Sequence, residues 1–212
     1  MTELDRSIFF LINNGLSSPI NDLWLGYATW LGNGWVAFPL ALIILFYLDR
    51  GHFGRNVLVL ASAAILGGVL NSFAKEIFHA PRPLEVFRPA MEAGRLHVHV
   101  MFESLYANSF PSGHVQTASS IATILVWVFI RRGRQRVKTA VMVSIFIVLT
   151  IAVSRIYVGA HFPSDVLGGT LIGCTSSALV YWLYDIRFRR LASFGKDTGI
   201  PIEPEIVEIG AS

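Results

Sequence analysis

Five stretches of this chain run without a single Asp, Glu, Lys or Arg: Leu23 to Leu48, Val57 to Ala74, Val115 to Ile130, Thr139 to Ser154 and Val166 to Tyr184. A helix that crosses the hydrocarbon core of a bilayer takes about 20 residues, with about 17 to 25 the usual range. Two of the stretches fall slightly short, and snorkelling flanks or polar groups with a task at the interface complete them. The pattern predicts five transmembrane helices. Ile8 to Ile12 is also apolar, but Asn13, Asn14, Gly15, Ser17, Ser18 and Pro19 interrupt it before it is long enough to cross. It reads as an amphipathic helix lying on the outer surface; a sixth span through this region is the alternative. Gly32-Asn33-Gly34 is expected to break the first span near the outer interface.

The predicted fold class is therefore all-α: a polytopic transmembrane helix bundle with five clear spans, an N-terminal interfacial helix over residues 1–20, and polar chemistry at the outer membrane–water interface. Residues 1–193 are expected to form one membrane-embedded domain, with 84–110 as an outward-facing loop. Residues 194–212 hold two prolines, several acids and little periodicity, and read as a loose tail. Composition agrees. At 53% hydrophobic and 15% charged residues the chain is too apolar for an ordinary soluble domain of its length.

Charge sets the orientation. Arg50 and Arg55 follow the first span, Arg131, Arg132, Arg134, Arg136 and Lys138 separate the third and fourth, and Arg187, Arg189 and Arg190 follow the fifth. Alternating spans put all three clusters on one side, which the positive-inside rule makes cytoplasmic, together with the C-terminus. The segment from Glu76 to Gly113 and the connection from Arg155 to Asp165 then face the periplasm or the exterior. Glu3 and Asp5 near the N-terminus, with no basic region before the apolar run, predict no cleavable signal. Cys174 is the single cysteine and says little about redox compartment. A net charge of +3 without basic–aromatic patterning predicts no nucleic-acid partner, and no obligatory protein partner is evident. Gly67, Gly68, Gly168, Gly169, Gly173, Ser176 and Ser177 read as close helix packing; Trp24, Trp30, Trp35 and Trp182 suit an interfacial aromatic belt.

Three polar groups stand out on the outward side. Lys75 to Pro83 closes the second span, Pro111-Ser112-Gly113-His114 opens the third, and Ser154 to Asp165 bridges the fourth and fifth. Ionisable groups at the edge of an apolar run are costly and usually pair or bind something. Lys75, Arg82 and Arg155 supply many N–H donors, and Arg forks match phosphate oxygens. Ser112 and Gly113 start a helix, where free backbone N–H groups and the dipole favour an anion. Together they describe a pocket for a phosphoryl group. His161 and Asp165 are four residues apart, so a shared face would let the carboxylate fix the imidazole tautomer and leave the other nitrogen to attack. This makes His161 the candidate nucleophile, Asp165 its orienter, and His114 the group that protonates the leaving oxygen and then activates water. Positioned cations stabilise the spread charge of a phosphoryl-transfer transition state. No metal and no cofactor is expected, since no carboxylate cluster of the kind Mg²⁺ favours is present. Ser154 reads as support for Arg155 or the phosphate, His79 as a loop residue, and His97-Val98-His99 as a solvated loop instead of a metal pair.

These residues closely resemble the signature of the type 2 phosphatidic acid phosphatase family, whose three parts read K-x6-R-P, P-S-G-H and S-R-x5-H-x3-D. Lys75, Arg82 and Pro83 match the first, Pro111 to His114 the second, and Ser154, Arg155, His161 and Asp165 the third. The resemblance implies metal-independent hydrolysis of a lipid phosphate or pyrophosphate through a phosphohistidine, on the outer face of a bacterial inner membrane. The partners so implied are the lipid substrate and the surrounding membrane lipids. Undecaprenyl pyrophosphate and phosphatidylglycerophosphate are the favoured substrates among those the family takes, which also include phosphatidic acid and lipid A. A lipid phosphotransferase using the same site is the alternative. A phospholipid or anion transporter is a further one, against which the clustering of polar groups on one face speaks.

Overall fold

The computed structural model describes residues 2–133 and 136–198, with residues 188–198 as backbone only. The described residues form α1 (Glu3–Asn13), α2 (Pro19–Asn21), α3 (Gly34–Leu48), α4 (Phe53–Phe78), α5 (Pro83–Glu92), α6 (Gly113–Arg131), α7 (Val137–Tyr157) and α8 (Pro163–Thr198). Four stretches are long and apolar enough to cross a membrane, carried by α4, α6, α7 and α8. Pro19–Gly32 and Gly34–Leu48 add a fifth as a pair bent by 71°. The break lies at the expected Gly32-Asn33-Gly34. Its cause is Asn33, whose extended backbone (ψ 126°) ends one winding while its Oδ1 accepts from Trp35 N at 2.9 Å and starts the next. Before the bend the chain winds irregularly, wide over Asp22–Gly26 and tight over Thr29–Gly32.

α6 is the central helix. It packs against α8, α7, α4 and α3. The small residues of α8 make this possible: a Cβ on Gly169 would collide with the Ser112 carbonyl, and one on Gly173 with the Gln116 carbonyl. Gly67 of α4 similarly lies against the Gln116 side chain. α7 sits at the edge, with Met142, Ile145, Phe146 and Leu149 exposed, as suits a lipid-facing helix.

The structure adds to three expectations. The N-terminal helix, expected to lie on the membrane surface, packs on protein along one side. Thr2 and Asp5 form a capping box, Asp5 Oδ1 also accepts from Ser164 N at 2.9 Å, and Phe9 is fully buried between Phe87 and Phe162. Leu4 and Leu11 of the same helix stay exposed. The expected loop 84–110 begins with a helix, α5, since Pro83 fits its first turn and Glu85 complements its dipole; Leu84 and Phe87 bury against the same core as Phe9. Finally, α8 continues to Thr198, into the stretch expected as tail. Residues 199–212 lie outside the described residues, as does Arg134 of the second basic cluster.

At the end of the bundle away from the three motifs, Asp49 gathers the turns between helices. Its buried carboxylate accepts from Asn56 Nδ2 at 2.9 Å and His52 Nδ1 at 3.0 Å, and pairs with Arg131 and Arg132. Two of the basic clusters, after the first span and after the third, therefore meet at one end, as the alternation of spans requires.

Candidate active site

The segment between α5 and α6 brings the first motif to the third. Asn108, at a left-handed φ of 54° that Asn tolerates, aims its carbonyl at Lys75 Nζ, 2.8 Å away. Arg82 Nε donates to the Ala107 carbonyl at 2.7 Å, and its Nη1 donates to the carbonyl of Ala160 at 3.0 Å, the residue before His161. Lys75 and Arg82 are thus held by backbone oxygens, which orient a cation without neutralising it. Arg155, near the C-terminus of α7, is buried and donates from Nη1 to Thr29 Oγ1 at 2.8 Å. Among the described residues none of these three cations pairs with a carboxylate at ion-pair distance. Their charges act on one another and on His114, so all four groups face a common space.

The turn before α6 supplies the backbone donors. Ser112 is fully buried, its N–H donates to the Asp165 carbonyl at 2.9 Å, and no side chain caps the helix it begins. Ser112 Oγ and Arg155 Nε are buried without a hydrogen-bond partner. Buried polar atoms are rarely left so in a finished structure. These two groups lie beside three cations that no carboxylate pairs at ion-pair distance, a set of donors suited to an anion.

His161 lies in the short connection before α8 and is 2% exposed. Its Nδ1 is 3.5 Å from Asp165 Oδ2, and Asp165 sits in the first turn of α8. The pair shares a face, as their spacing predicts. The same carboxylate oxygen accepts from Ser109 Oγ at 2.5 Å and from Phe162 N at 2.8 Å. Asp165 is therefore fixed from two sides, and Nε2 is the imidazole nitrogen turned from it. Burial pushes the His161 pKa below its ordinary value; the neighbouring Asp165 carboxylate opposes this, and the charges of Arg155 and Arg82 add to it. The net direction keeps the ring neutral at neutral pH.

Several contributors carried no motif. Ser109 anchors Asp165. Asn13, fully buried, donates from Nδ2 to the carbonyls of His99 at 2.7 Å and Tyr157 at 2.8 Å, while its Oδ1 accepts from His99 N at 2.9 Å. This staples α1 and the segment 97–101 to the end of α7. His99, expected in a solvated loop, bonds Asp22 Oδ1 at 2.9 Å, an oxygen that also accepts from Tyr157 at 2.5 Å. His79 is a left-handed cap of α4, with φ 42°. Ser154, expected beside the phosphate or Arg155, donates instead to the Leu25 carbonyl at 2.6 Å. Local pattern has no access to such partners, since they lie 56 to 144 residues away.

Gly159 shows how tightly the connection is held. Its φ is +77°, and a Cβ there would stand 2.8 Å from the His99 carbonyl oxygen. Gly159→Ala is expected to cost about 1–3 kcal/mol from the left-handed backbone and the collision together. A lower thermal midpoint in detergent and reduced turnover would report it; an unchanged midpoint contradicts the packing described.

A cavity of ≈ 670 Å³ opens beside His114, lined by Asn33, Gly34, Trp35, Phe38, Pro39 and Leu42. Phe38 and Leu42 also line a smaller groove of ≈ 330 Å³ that runs on between α3 and α4 over Val57, Leu60 and Ala61. The polar site thus adjoins an apolar track. Another groove, ≈ 550 Å³ between α6, α7 and α8, is lined by none of the expected site residues.

Comparison with known proteins shows the family. The model of the PAP2 superfamily matches residues 56–189, more than half of the chain and all three motifs. The chain belongs to the PAP2 superfamily. It is a phosphatase of that family and an integral membrane protein. Among curated relatives, undecaprenyl-diphosphatase BcrC of Bacillus subtilis is 28% identical over 71% of this chain and 69% of its own length. A lipid A 4'-phosphatase of Bacteroides thetaiotaomicron is 26% identical over 95% of this chain and 84% of its own. Among solved structures, LpxE of Aquifex aeolicus superposes with a TM-score of 0.69 at 32% identity, over 85% of this chain and 96% of that one. A PAP2-type phosphatidylglycerolphosphate phosphatase of B. subtilis shares the fold, with a TM-score of 0.63 at 22% identity.

Proposed function

We propose that this PAP2 protein hydrolyses a lipid phosphate or pyrophosphate through a phosphohistidine on His161, at the periplasmic or extracellular face of a bacterial inner membrane. The observation that carries the reading is the meeting of Lys75, Arg82 and Arg155, unpaired with carboxylates among the described residues, around the buried His161–Asp165 pair. The cations bind the phosphoryl oxygens together with the N–H of Gly113 and the hydroxyl of Ser112, whose own N–H is held by the Asp165 carbonyl. Nε2 of His161 attacks phosphorus as the bond to the leaving oxygen breaks, and His114 gives that oxygen its proton. Water, deprotonated by His114, then releases phosphate from His161. A pocket walled by cations disfavours a divalent metal, so turnover is expected to persist in chelator.

The apolar track from His114 supports a substrate with a long hydrocarbon tail. Undecaprenyl pyrophosphate and phosphatidylglycerophosphate are the favoured substrates, supported by relatives named for acting on undecaprenyl diphosphate and phosphatidylglycerophosphate. Orientation rests on the positive-inside rule: the basic end around Asp49, Arg131 and Arg132 supports a cytoplasmic C-terminus. Phosphate release by purified protein in EDTA is to be measured on four substrates: undecaprenyl pyrophosphate, phosphatidylglycerophosphate, phosphatidic acid and lipid A. The expected result is the highest kcat/KM on one of the first two and inhibition by vanadate. Activity that requires added divalent metal, or none on any of the four, would sink the proposal.

A further inference from the structure

The phosphate-binding arginine is held by a residue outside every motif. Arg155 Nη1 donates to Thr29 Oγ1 at 2.8 Å, across 126 positions of sequence. Both residues are buried, Thr29 at 5% and Arg155 at 8% exposure. Thr29 begins the tight winding Thr29–Gly32 just before the bend, and the same segment touches the site twice more. Leu25, one turn earlier, accepts from Ser154 Oγ at 2.6 Å. Gly32, three residues later, lies so close to His114 that a Cβ would stand 3.0 Å from the His114 Cβ. The bent first span is thus packed against both the arginine and the second histidine.

We propose that Thr29 is a positioning residue: its hydroxyl oxygen sets the plane of the Arg155 guanidinium and so aims the remaining N–H groups at a phosphoryl oxygen. This deepens the function proposed above and rests on Arg155 serving the phosphate. Two features favour positioning over mere packing. The first is that Arg155 Nε is buried with no hydrogen-bond partner, so the bond to Thr29 holds one end of the guanidinium while an inner donor stays available. The second is chemical. A hydroxyl is a neutral acceptor, whereas a carboxylate in its place would cancel the charge and compete with the ligand. Arg82 and Lys75 are held by neutral carbonyl oxygens on the same principle.

The test compares Thr29→Val, which keeps the shape and removes the acceptor, with Thr29→Ser, which keeps the acceptor and removes the methyl. Two quantities are read on the full-length protein in detergent: kcat and KM for lipid phosphate hydrolysis, and binding of inorganic phosphate by calorimetry. Thr29→Val is expected to weaken inorganic phosphate binding about tenfold and to lower kcat/KM by a similar factor, the usual loss for one hydrogen bond to a charged group. Thr29→Ser is expected to stay within about threefold of the parent in both. Equal phosphate binding by parent and Thr29→Val overturns the proposal. So does equal loss in both variants, which would assign the effect to the methyl group. Binding does not depend on turnover: if the parent binds phosphate but hydrolyses no lipid, the functional reading fails while the Thr29 comparison still decides. A parent that binds no inorganic phosphate overturns both.

Discussion

His161→Ala abolishes phosphate release, with turnover falling by at least about 10³-fold, as expected when the group that forms the covalent intermediate is removed. The ring is 2% exposed, so the alanine variant also leaves a cavity. His161→Asn fills more of that space and lacks a nucleophilic ring nitrogen. It is expected to lose turnover to the same degree, while its thermal midpoint and gel-filtration profile stay near those of the parent. Trapping labelled phosphate on the acid-stable or base-stable fraction of the protein separates nitrogen-linked from oxygen-linked phosphate; only the base-stable, acid-labile species fits His161. The pH profile follows from burial. The folded pKa of His161 is pushed below the ordinary 6.5 by burial, so the nucleophile stays unprotonated until the pH drops past that depressed value. The acid limb of kcat/KM due to this group, which reports the free enzyme, is therefore expected below 6.5 and not above it. Near-parental activity in His161→Asn would remove the nucleophile from the scheme.

The largest expected loss of stability lies at the other end of the bundle. Asp49 is 1% exposed and binds Asn56, His52, Arg131 and Arg132 together. Asp49→Ala leaves two guanidinium groups facing one another where a shared carboxylate stood, at a cost of about 3 kcal/mol, the order found when one partner of a buried ion pair is removed. Thermal unfolding in detergent measures it. Burial alone would raise the Asp49 carboxyl; hydrogen bonds from Asn56 and His52 and the charge of Arg131 outweigh it and hold the group below the ordinary 3.8. Its stabilisation is thus complete above that unfolded value and is lost as the pH falls through the depressed one. Because the knot lies at the end opposite the motifs, phosphate binding by the folded fraction is expected to persist. An unchanged midpoint in Asp49→Ala contradicts the account.

Much of the site was legible because each of its motifs is local. Lys75 and Arg82 follow one apolar run, Ser112 to His114 precede another, and His161 and Asp165 stand at a spacing that survives into the structure, with Nδ1 and Oδ2 3.5 Å apart. The support around them was not legible. Ser109 and Asn13 are ordinary polar residues in irregular chain, and nothing beside them in sequence announces that one holds Asp165 and the other staples the end of α7. The amphipathic pattern of α1 was read correctly as a helix too short to cross. Its packing on Phe87 and Phe162 was not legible, because an apolar face has the same pattern whether it meets lipid or protein.

By itself, then, the chain's own order of residues determined a helical membrane protein whose phosphate chemistry lies at one end. Apolar length, charge bias and motif spacing are properties of short windows, and the bilayer imposes the rest by forbidding unpaired backbone. Tertiary structure alone decided that the first 33 residues fold back to wall the site, that Thr29 meets Arg155, and that Asp49 collects the basic end. Each is a contact between distant residues whose energy depends on burial and direction, and none exists until the helices have packed.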